Sequence, residues 1–526
     1  MARNKKIRIE ADEKNFPQVQ TFAEEVFKRR HVSASIASET MLLIEALFHV
    51  IIPQVDDEDA EIEISSVNQL GRTDIKLKFP GKRFSIPEGD VSVDPDAKLI
   101  EVFSDKLSCS YRGGDNVIRI SVSQTARAFI LPNLIAIVGA LVVSLVIAFT
   151  VDVAGQEQIT QELIEPLEKL FTNAVLMIGA PMTLFSLLKN VTDSFIVAER
   201  HSSSGKLFAT AVGSSVVSIV LALIMGFVFA RAALTALGVV DQVADIGFEQ
   251  WSLSTAVDQI IPSNILEPFE TISPVPMIFV ALIITAALCT MGQNFEVMKR
   301  AIDACYDLFS SILGIVMAAF PVACFLLFLE VLLSDNGFWR FVVILIMAVV
   351  VFVSAVPLLA TYALGLKARG VHVLEFARKL WPLVKENFVI GSVIDAVPYN
   401  TRYGVKVFGF SRERLEKELP VLAQTSLDGN CFILMLLATI FIFFANCPVS
   451  WFNIAVTAFI VLFLSFGAPN QPGSILIGML IILTYLNTSS AVSMALCFEL
   501  FCGGLQNILN VISSMVTVAG REAGGE

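Results

Sequence analysis

The sequence predicts a polytopic α-helical membrane protein with a small soluble domain at its N-terminus. Three observations predict it. Of 526 residues, 55% are hydrophobic and 16% are charged, against about 25% charged in soluble chains. Long apolar runs follow one another from Ala128 almost to the C-terminus, and about 20 apolar residues span the hydrocarbon layer as a helix. Residues 1–127 are instead charged and contain alternating stretches such as Ile62-Glu63-Ile64 and Val117-Ile118-Arg119-Ile120-Ser121-Val122, the period of half-buried strands. This composition excludes an ordinary soluble enzyme. The net charge of −12 supplies no attraction for nucleic acid, which is not expected as a partner.

Taken in order, Met1 to Glu10 is basic and has no apolar core, so it does not read as a signal peptide and the first domain is expected to stay in the cytoplasm. Apolar spans follow near 128–150, 167–196, 207–236, 272–292, 303–333 and 339–366. The connections at 151–166 and 232–271 contain no Lys or Arg, whereas those around Arg200 and Lys206, Lys299 and Arg300, and Lys367 to Lys379 are basic. That alternation satisfies the positive-inside rule for a cytoplasmic N-terminus. The eight cysteines form no C-x-x-C pair and the four histidines are scattered, which predicts small buried thiols and no transition-metal site.

Two later segments are interrupted. Arg402, Lys406, Arg412, Arg414 and Lys417 mark another cytoplasmic loop, so between 379 and 402 the chain must leave and re-enter one face. Leu383 to Pro398 is too short and too polar for two crossings, and a re-entrant hairpin with its tip at Gly391 to Pro398, including Ser392 and Asp395, is predicted. A second break falls at Gly467-Ala468-Pro469-Asn470-Gln471-Pro472-Gly473-Ser474. Non-helical backbone at membrane depth persists only where protein or a watery cavity satisfies it. Paired interrupted segments point to the binding site of a secondary transporter.

Between Glu418 and Gly520 the chain has two further acids, Asp428 and Glu499. Ionisable groups in a membrane are costly and usually functional. Asp428 sits in Gln424-Thr425-Ser426-Leu427-Asp428-Gly429-Asn430, where local unwinding would offer carbonyls and a carboxylate to a hard cation; a cap for a broken helix is the alternative. Gln506, Asn510 and Ser513–Ser514 share one helical face, with Asn507 beside them, as a solute or ion stripe requires. Interhelical hydrogen bonding explains that stripe equally well. Glu499 is either a proton-titrating group or an outer-interface residue, and Asp395 either a coupling acid or a hairpin cap.

Over nearly all of 128–526 these landmarks resemble the dicarboxylate/amino acid:cation symporter family. Ile261-Pro262-Ser263-Asn264 through Pro274-Val275-Pro276-Met277-Ile278-Phe279 is similar to the family's fourth-helix entry. Leu419-Pro420 to Gly429 is similar to the stretch containing its Asn-Met-Asp-Gly-Thr motif, and Asn510-Val511 to Asn-Val of its eighth helix. The resemblance implies eight transmembrane helices, two re-entrant hairpins, a homotrimer in the cytoplasmic (inner) membrane with both termini cytoplasmic, and elevator movement that carries a small organic acid or amino acid with Na⁺ or H⁺.

Transferred by position, Asp428 and Asn510 match sodium-site residues, with Ser426, Ser514 and Ser218 beside them as ion-binding candidates. Ser392, Asp395, Ala468, Pro469, Asn470, Gly473, Gln506, Asn507 and Asn510 are the candidates for solute. Several positions depart from the pattern. The motif reads Ser426-Leu427-Asp428-Gly429-Asn430. The arginine that grips a side-chain carboxylate is Gln506, the aspartate that binds an amino group is Gly503, and a sodium-ligating aspartate is Ser514. An amide cannot replace a guanidinium in a bidentate ion pair, which disfavours acidic amino acids. Ser214, Ser215 and Ser218 lie where the third helix contributes to an ion site, without the family's tyrosine. A competing expectation is a solute sensor that signals through the N-terminal domain.

Residues 14–124 resemble the anti-sigma-factor serine-kinase branch of the histidine-kinase-like ATPases, on Glu45-Ala46-Leu47-Phe48-His49 and on Phe103-Ser104-Asp105-Lys106-Leu107 leading to Tyr111-Arg112-Gly113-Gly114-Asp115-Asn116-Val117. The resemblance implies a small α+β sandwich. His49 stands where that superfamily has its magnesium-ligating Asn. The adenine-recognising Asp is missing at Phe79-Pro80-Gly81, and no phosphate-wrapping glycine box precedes Leu99-Ile100. A degenerate domain that does not use ATP and docks a cytoplasmic regulatory protein is the expectation. No Walker-type sequence is present, so neither an ATP-driven pump nor an enzyme is expected.

Overall fold

Alternating inward residues define the first unit. In the computed structural model, Ile62 and Ile64 of β2 (Glu61–Gln69), Ile75, Leu77 and Phe79 of β3 (Arg72–Pro80) and Ile118 and Ile120 of β5 (Asp115–Val122) are all buried on one sheet face. The register aligns them, Ile64 with Leu77 and Leu77 with Ile118, so cross-strand pairs build a continuous apolar surface. With β1 (Lys6–Glu10) and β4 (Leu107–Arg112) the sheet has five antiparallel strands in the order β1-β2-β3-β5-β4. Helices α1 (Phe16–Arg30) and α2 (Ala34–Ile51) add Val19, Phe22, Leu43, Leu47 and Phe48 to the same core. On the exposed edge, the Arg8 guanidinium donates to Glu63 at 2.8 Å and holds its carboxyl below the ordinary carboxylate range.

The structure describes residues 6–30, 32, 34–55, 61–69, 72–81, 84, 96, 99–100, 103, 107–112, 115–122, 130–150, 158–200, 202–237, 260–291, 295–333, 337–390, 392–394, 396–444, 451–468, 473–485 and 492–524. Asp395, Pro469 and Asn470 lie outside them. The chain divides into two compact units, 1–129 with 398–403, and 130–397 with 404–526.

The second unit is helical. It comprises α3 (Ile130–Thr150), α4 (Glu165–Arg200), α5 (Ser202–Leu237), α6 (Pro274–Cys289), α7 (Phe295–Met317), α8 (Phe320–Leu333), α9 (Gly337–Ala368), α10 (Val373–Ile390), α12 (Arg412–Thr425), α13 (Asp428–Phe444), α14 (Trp451–Phe466), α15 (Ser474–Tyr485) and α16 (Val492–Gly524), while the short α11 (Val397–Tyr403) is grouped, from Pro398 on, with the first unit. Among the described residues five helices are long and apolar enough to cross a membrane, or six if the pair 297–317 and 320–333, bent by 47°, is one span. The run read from the sequence as one span over 303–333 is therefore bent. Phe320 and Pro321 restart the chain after Ala318-Ala319, since Pro can begin a helix but not continue one without losing a bond.

Helix α13 is the centre of this unit: Cys431 to Phe441 are buried all round. It packs on α5 closely enough that a Cβ on Gly226 would lie 2.7 Å from Thr439 Cβ. Helices α4 and α7 are tied at one end by Lys299 to Asp193 at 2.8 Å and Lys189 to Asp303 at 3.7 Å. Where α14 ends, α4 satisfies the loose carbonyls: Asn190 donates to Phe466 O at 2.6 Å and Ser186 to Ala468 O at 3.2 Å. The described carbonyls leading into the second break, those of Phe466 and Ala468, thus have protein partners, as irregular backbone in a membrane requires.

Candidate functional site

Helix α12 stops at Thr425 and α13 starts at Asp428, with Ser426 in a non-helical conformation between them. The interruption places Asp428 in the first turn of α13, where a carboxylate is favoured by the helix dipole. Gly429 permits α16 to approach: a Cβ there would lie 2.3 Å from the Gln506 carbonyl oxygen. Its N–H donates to Asn510 Oδ1 at 2.7 Å, and Asn510 Nδ2 donates to Asn430 Oδ1 at 2.9 Å. Asn510 therefore clamps the break with both ends of its amide.

The Asp428 side chain is 0% exposed and is surrounded by hydroxyls from three other helices. Ser215 of α5 donates to Oδ1 at 2.9 Å. Oδ2 accepts from Tyr362 of α9 at 2.6 Å, from Ser513 of α16 at 2.6 Å and from Ser214 of α5. Ser426 and Ser513 hydroxyls lie 2.7 Å apart. Charge-assisted bonds of this kind are about twice as strong as neutral ones and offset burial of the carboxylate. Each hydroxyl also keeps lone pairs. Rotated, the same groups present several oxygens beside one negative charge, the donor set of a hard cation.

The second acid, Glu499 of α16, is held differently. Its two oxygens accept the backbone N–H groups of Gly473 and Leu476, each at 2.8 Å. It thereby caps the start of α15, whose first N–H groups have no partner in their own helix. Two turns further along α16, Gln506 pairs with Ser474, 2.7 Å from Nε2 to Oγ. Gly504 faces Phe388 of α10, with a built Cβ 2.3 Å from the ring. Gln506 is thus held by the start of α15 through Ser474 and its carbonyl lies against Gly429 of α13.

Of the other residues singled out in the sequence, Ser392 is buried next to the first break, and Asn507 is buried on α16. Ala468 supplies the carbonyl bonded by Ser186. Gly473 has a φ of 99°, which favours glycine, and donates to Glu499. Ser514 and Ser218 donate into their own helices, to Asn510 O at 2.9 Å and Ser214 O at 3.0 Å; neither is bonded to Asp428. Tyr362 of α9 bonds Asp428 as well, and sequence reading missed it. In Ala360-Thr361-Tyr362-Ala363 nothing but the phenol itself marks it, and its partner is 66 residues away. Among the described residues no three His, Cys, Asp or Glu side chains cluster as a metal site. In the first unit, His49 Nδ1 lies 2.8 Å from Asp96 Oδ2.

No curated protein sequence matches the chain. A family profile, that of the sodium:dicarboxylate symporter family, matches residues 134–520. The chain belongs to the sodium:dicarboxylate symporter family: it is a multi-pass membrane protein of a transporter type that moves a small solute, in a family whose name points to a cation as the coupling ion.

Proposed function

We propose that this family member accumulates a small organic acid or amino acid by symport with Na⁺ or H⁺, and that Asp428 is the residue through which the ion is coupled. The observation that supports this reading is the convergence of Ser214, Ser215, Tyr362 and Ser513 on one fully buried carboxylate at a helix break. A cap alone needs one or two backbone N–H groups; four hydroxyls from three helices make a cage whose O–H groups can rotate and turn their lone pairs toward a cation beside the carboxylate. Ser426 borders the cage through Ser513, and Asn510 braces it, tying Gly429 to Asn430.

The solute in this reading lies between the two hairpin tips, against Ser392, Ala468, Gly473, Gln506 and Asn507; Asp395, Pro469 and Asn470, outside the described residues, stay candidates by sequence position alone. Ion and solute sites then share α13 and α16, so filling one biases the other. The architecture in this reading is eight transmembrane helices with two re-entrant hairpins, one over 383–398 and one with its tip at 467–474. The protein is a homotrimer in the inner membrane with cytoplasmic termini, and transport proceeds by elevator movement. The tie from α4 to the end of α14 is a contact that such movement must break and remake.

Residues 1–127 are read as a degenerate ATPase-like domain that docks a cytoplasmic regulatory protein, without ATP as cofactor. The pairing of His49 with Asp96 supports that reading, because it engages the ring at the position where the superfamily ligates magnesium. Micromolar ATP binding by the full-length protein would contradict it.

The transport reading is tested by uptake of labelled serine, glutamine, aspartate and succinate into proteoliposomes under separately imposed Na⁺ and pH gradients. Accumulation driven by one of the gradients is expected. Equilibration without accumulation under both gradients would contradict symport.

A further inference from the structure

Helix α10 carries two stripes on opposite sides. Phe376, Leu380, Leu383 and Asn387 are buried, whereas Leu374, Arg378, Trp381 and Lys385 are exposed. Both sets recur at i, i+4, i+7 and i+11, the spacing of one helical face. The inner stripe packs into the protein. The outer one alternates two large apolar side chains with two cations, and its apolar members are well outside the fold: Leu374 is 69% and Trp381 61% exposed.

The charge on this face has one sign. Residues 367–385 contain five Lys or Arg and one acid, Glu375, in a chain whose net charge is −12. That acid is paired with Lys379 at 2.8 Å. Lys385 Nζ lies 5.5 Å from the centroid of the Trp381 ring, and among the described residues no acid is bonded to Lys367 or Arg378.

The place of the stripe limits what can cover it. Helix α9 contains Ala348–Ala368, a run long and apolar enough to cross a membrane. Lys367 stands near its end, Gly370 turns the chain at a φ of 80°, and α10 starts at Val373. The stripe therefore begins where that span leaves the hydrocarbon layer, at the level of the lipid headgroups. A free phosphate or a nucleic acid would neutralise Arg378 and Lys385 but leave Leu374 and Trp381 in water. A lipid without net charge would cover the apolar pair and leave the cations uncompensated. An anionic phospholipid satisfies both, because the long stems of Arg and Lys reach a phosphate while the apolar side chains stay on its acyl chain. Tryptophan is enriched at this depth for the same reason.

We propose that the exposed face of α10 binds an anionic phospholipid, with Arg378 and Lys385 on its phosphate and Leu374 and Trp381 along its chain. Lys367 adds attraction for the same charged surface. Since α10 leads into the first break, the bound lipid sets the depth of that segment in the bilayer. The binding requires only that α9 spans the membrane, so it stands apart from the choice of solute and coupling ion.

The test is thermal stabilisation of the purified full-length protein in neutral detergent by phosphatidylglycerol, by phosphatidylcholine with the same acyl chains, and by glycerol phosphate. Only phosphatidylglycerol is expected to raise the midpoint. In the double variant Arg378→Gln/Lys385→Gln its half-saturating concentration is expected to rise about tenfold or more, whereas Lys169→Gln, which removes an exposed cation of α4, leaves it unchanged. Should the double variant be too unstable to purify, tryptophan fluorescence gives a second readout. Phosphatidylglycerol with brominated chains is expected to quench the wild type more than brominated phosphatidylcholine does, and Trp381→Phe to remove that difference. Equal stabilisation by the two lipids, equal stabilisation by glycerol phosphate, an unchanged response in the double variant, or a difference in quenching that survives Trp381→Phe would overturn the proposal. A change of oligomeric state in the double variant with the lipid response intact would overturn it too, and would assign this face to a second copy of the chain.

Discussion

The helical unit buries two carboxylates at helix starts, Asp428 at α13 and Glu499 at α15, and holds them with different chemistry. Glu499 is satisfied by two backbone N–H groups, which are fixed in direction and have no lone pair to offer. Asp428 is satisfied by four hydroxyls, which rotate and can turn from donor to acceptor. A carboxylate locked by amides caps the start of α15, whereas one caged by hydroxyls has partners that can turn their lone pairs outward without moving the backbone. The difference teaches that burial of an acid in a membrane is not by itself a sign of ion coupling; the partners decide.

The sharpest way to break this contrast is to neutralise each acid. Asp428→Asn is expected to abolish gradient-driven accumulation, a loss of about 100-fold or more, since the other groups of the cage carry no charge with which to hold a cation. Retained accumulation in proteoliposome uptake would refute the cage. Glu499→Ala is expected to act on folding instead. It strands the N–H groups of Gly473 and Leu476 at about 1–3 kcal/mol each, read as a lower thermal midpoint in detergent, with Glu499→Gln losing less. An unchanged midpoint would mean that the cap contributes nothing.

Tyr362→Phe removes one hydroxyl of four and is expected to raise the half-saturating concentration of the coupling ion about tenfold, the scale of one hydrogen bond to a charge, with maximal uptake kept. The smallest effect belongs to Ser514→Ala. This hydroxyl serves its own helix, so stability should stay within about 0.5 kcal/mol and ion dependence should not move. A strong shift in ion dependence would return Ser514 to the ion site implied by family position.

The contrast also separates what could be read from the sequence from what could not. Asp428 and Asn510 were legible because a lone acid beside Gly and an amide on a polar stripe stand out in an apolar run. The two breaks were marked by Pro and Gly, and the five-stranded unit by its alternation. Tyr362 was not legible: no periodicity encodes which of many helices packs across α13, and a single phenol in an apolar run reads as well for a membrane interface. Glu499 stayed undecided because its partners are backbone N–H groups, which every residue but proline possesses; only the folded start of α15 aims two of them at one carboxylate. The bend between α7 and α8 escaped because Pro321 lies in a run that is uniformly apolar.

The measurement that tests the central claim most directly is uptake in proteoliposomes by the wild type, Asp428→Asn and Glu499→Gln, side by side, under imposed Na⁺ and pH gradients with the labelled probe the wild type takes up best. Accumulation by the wild type and Glu499→Gln, together with its loss in Asp428→Asn, is the predicted result. Concentrative uptake by Asp428→Asn, or loss of coupling confined to Glu499→Gln, would contradict the account.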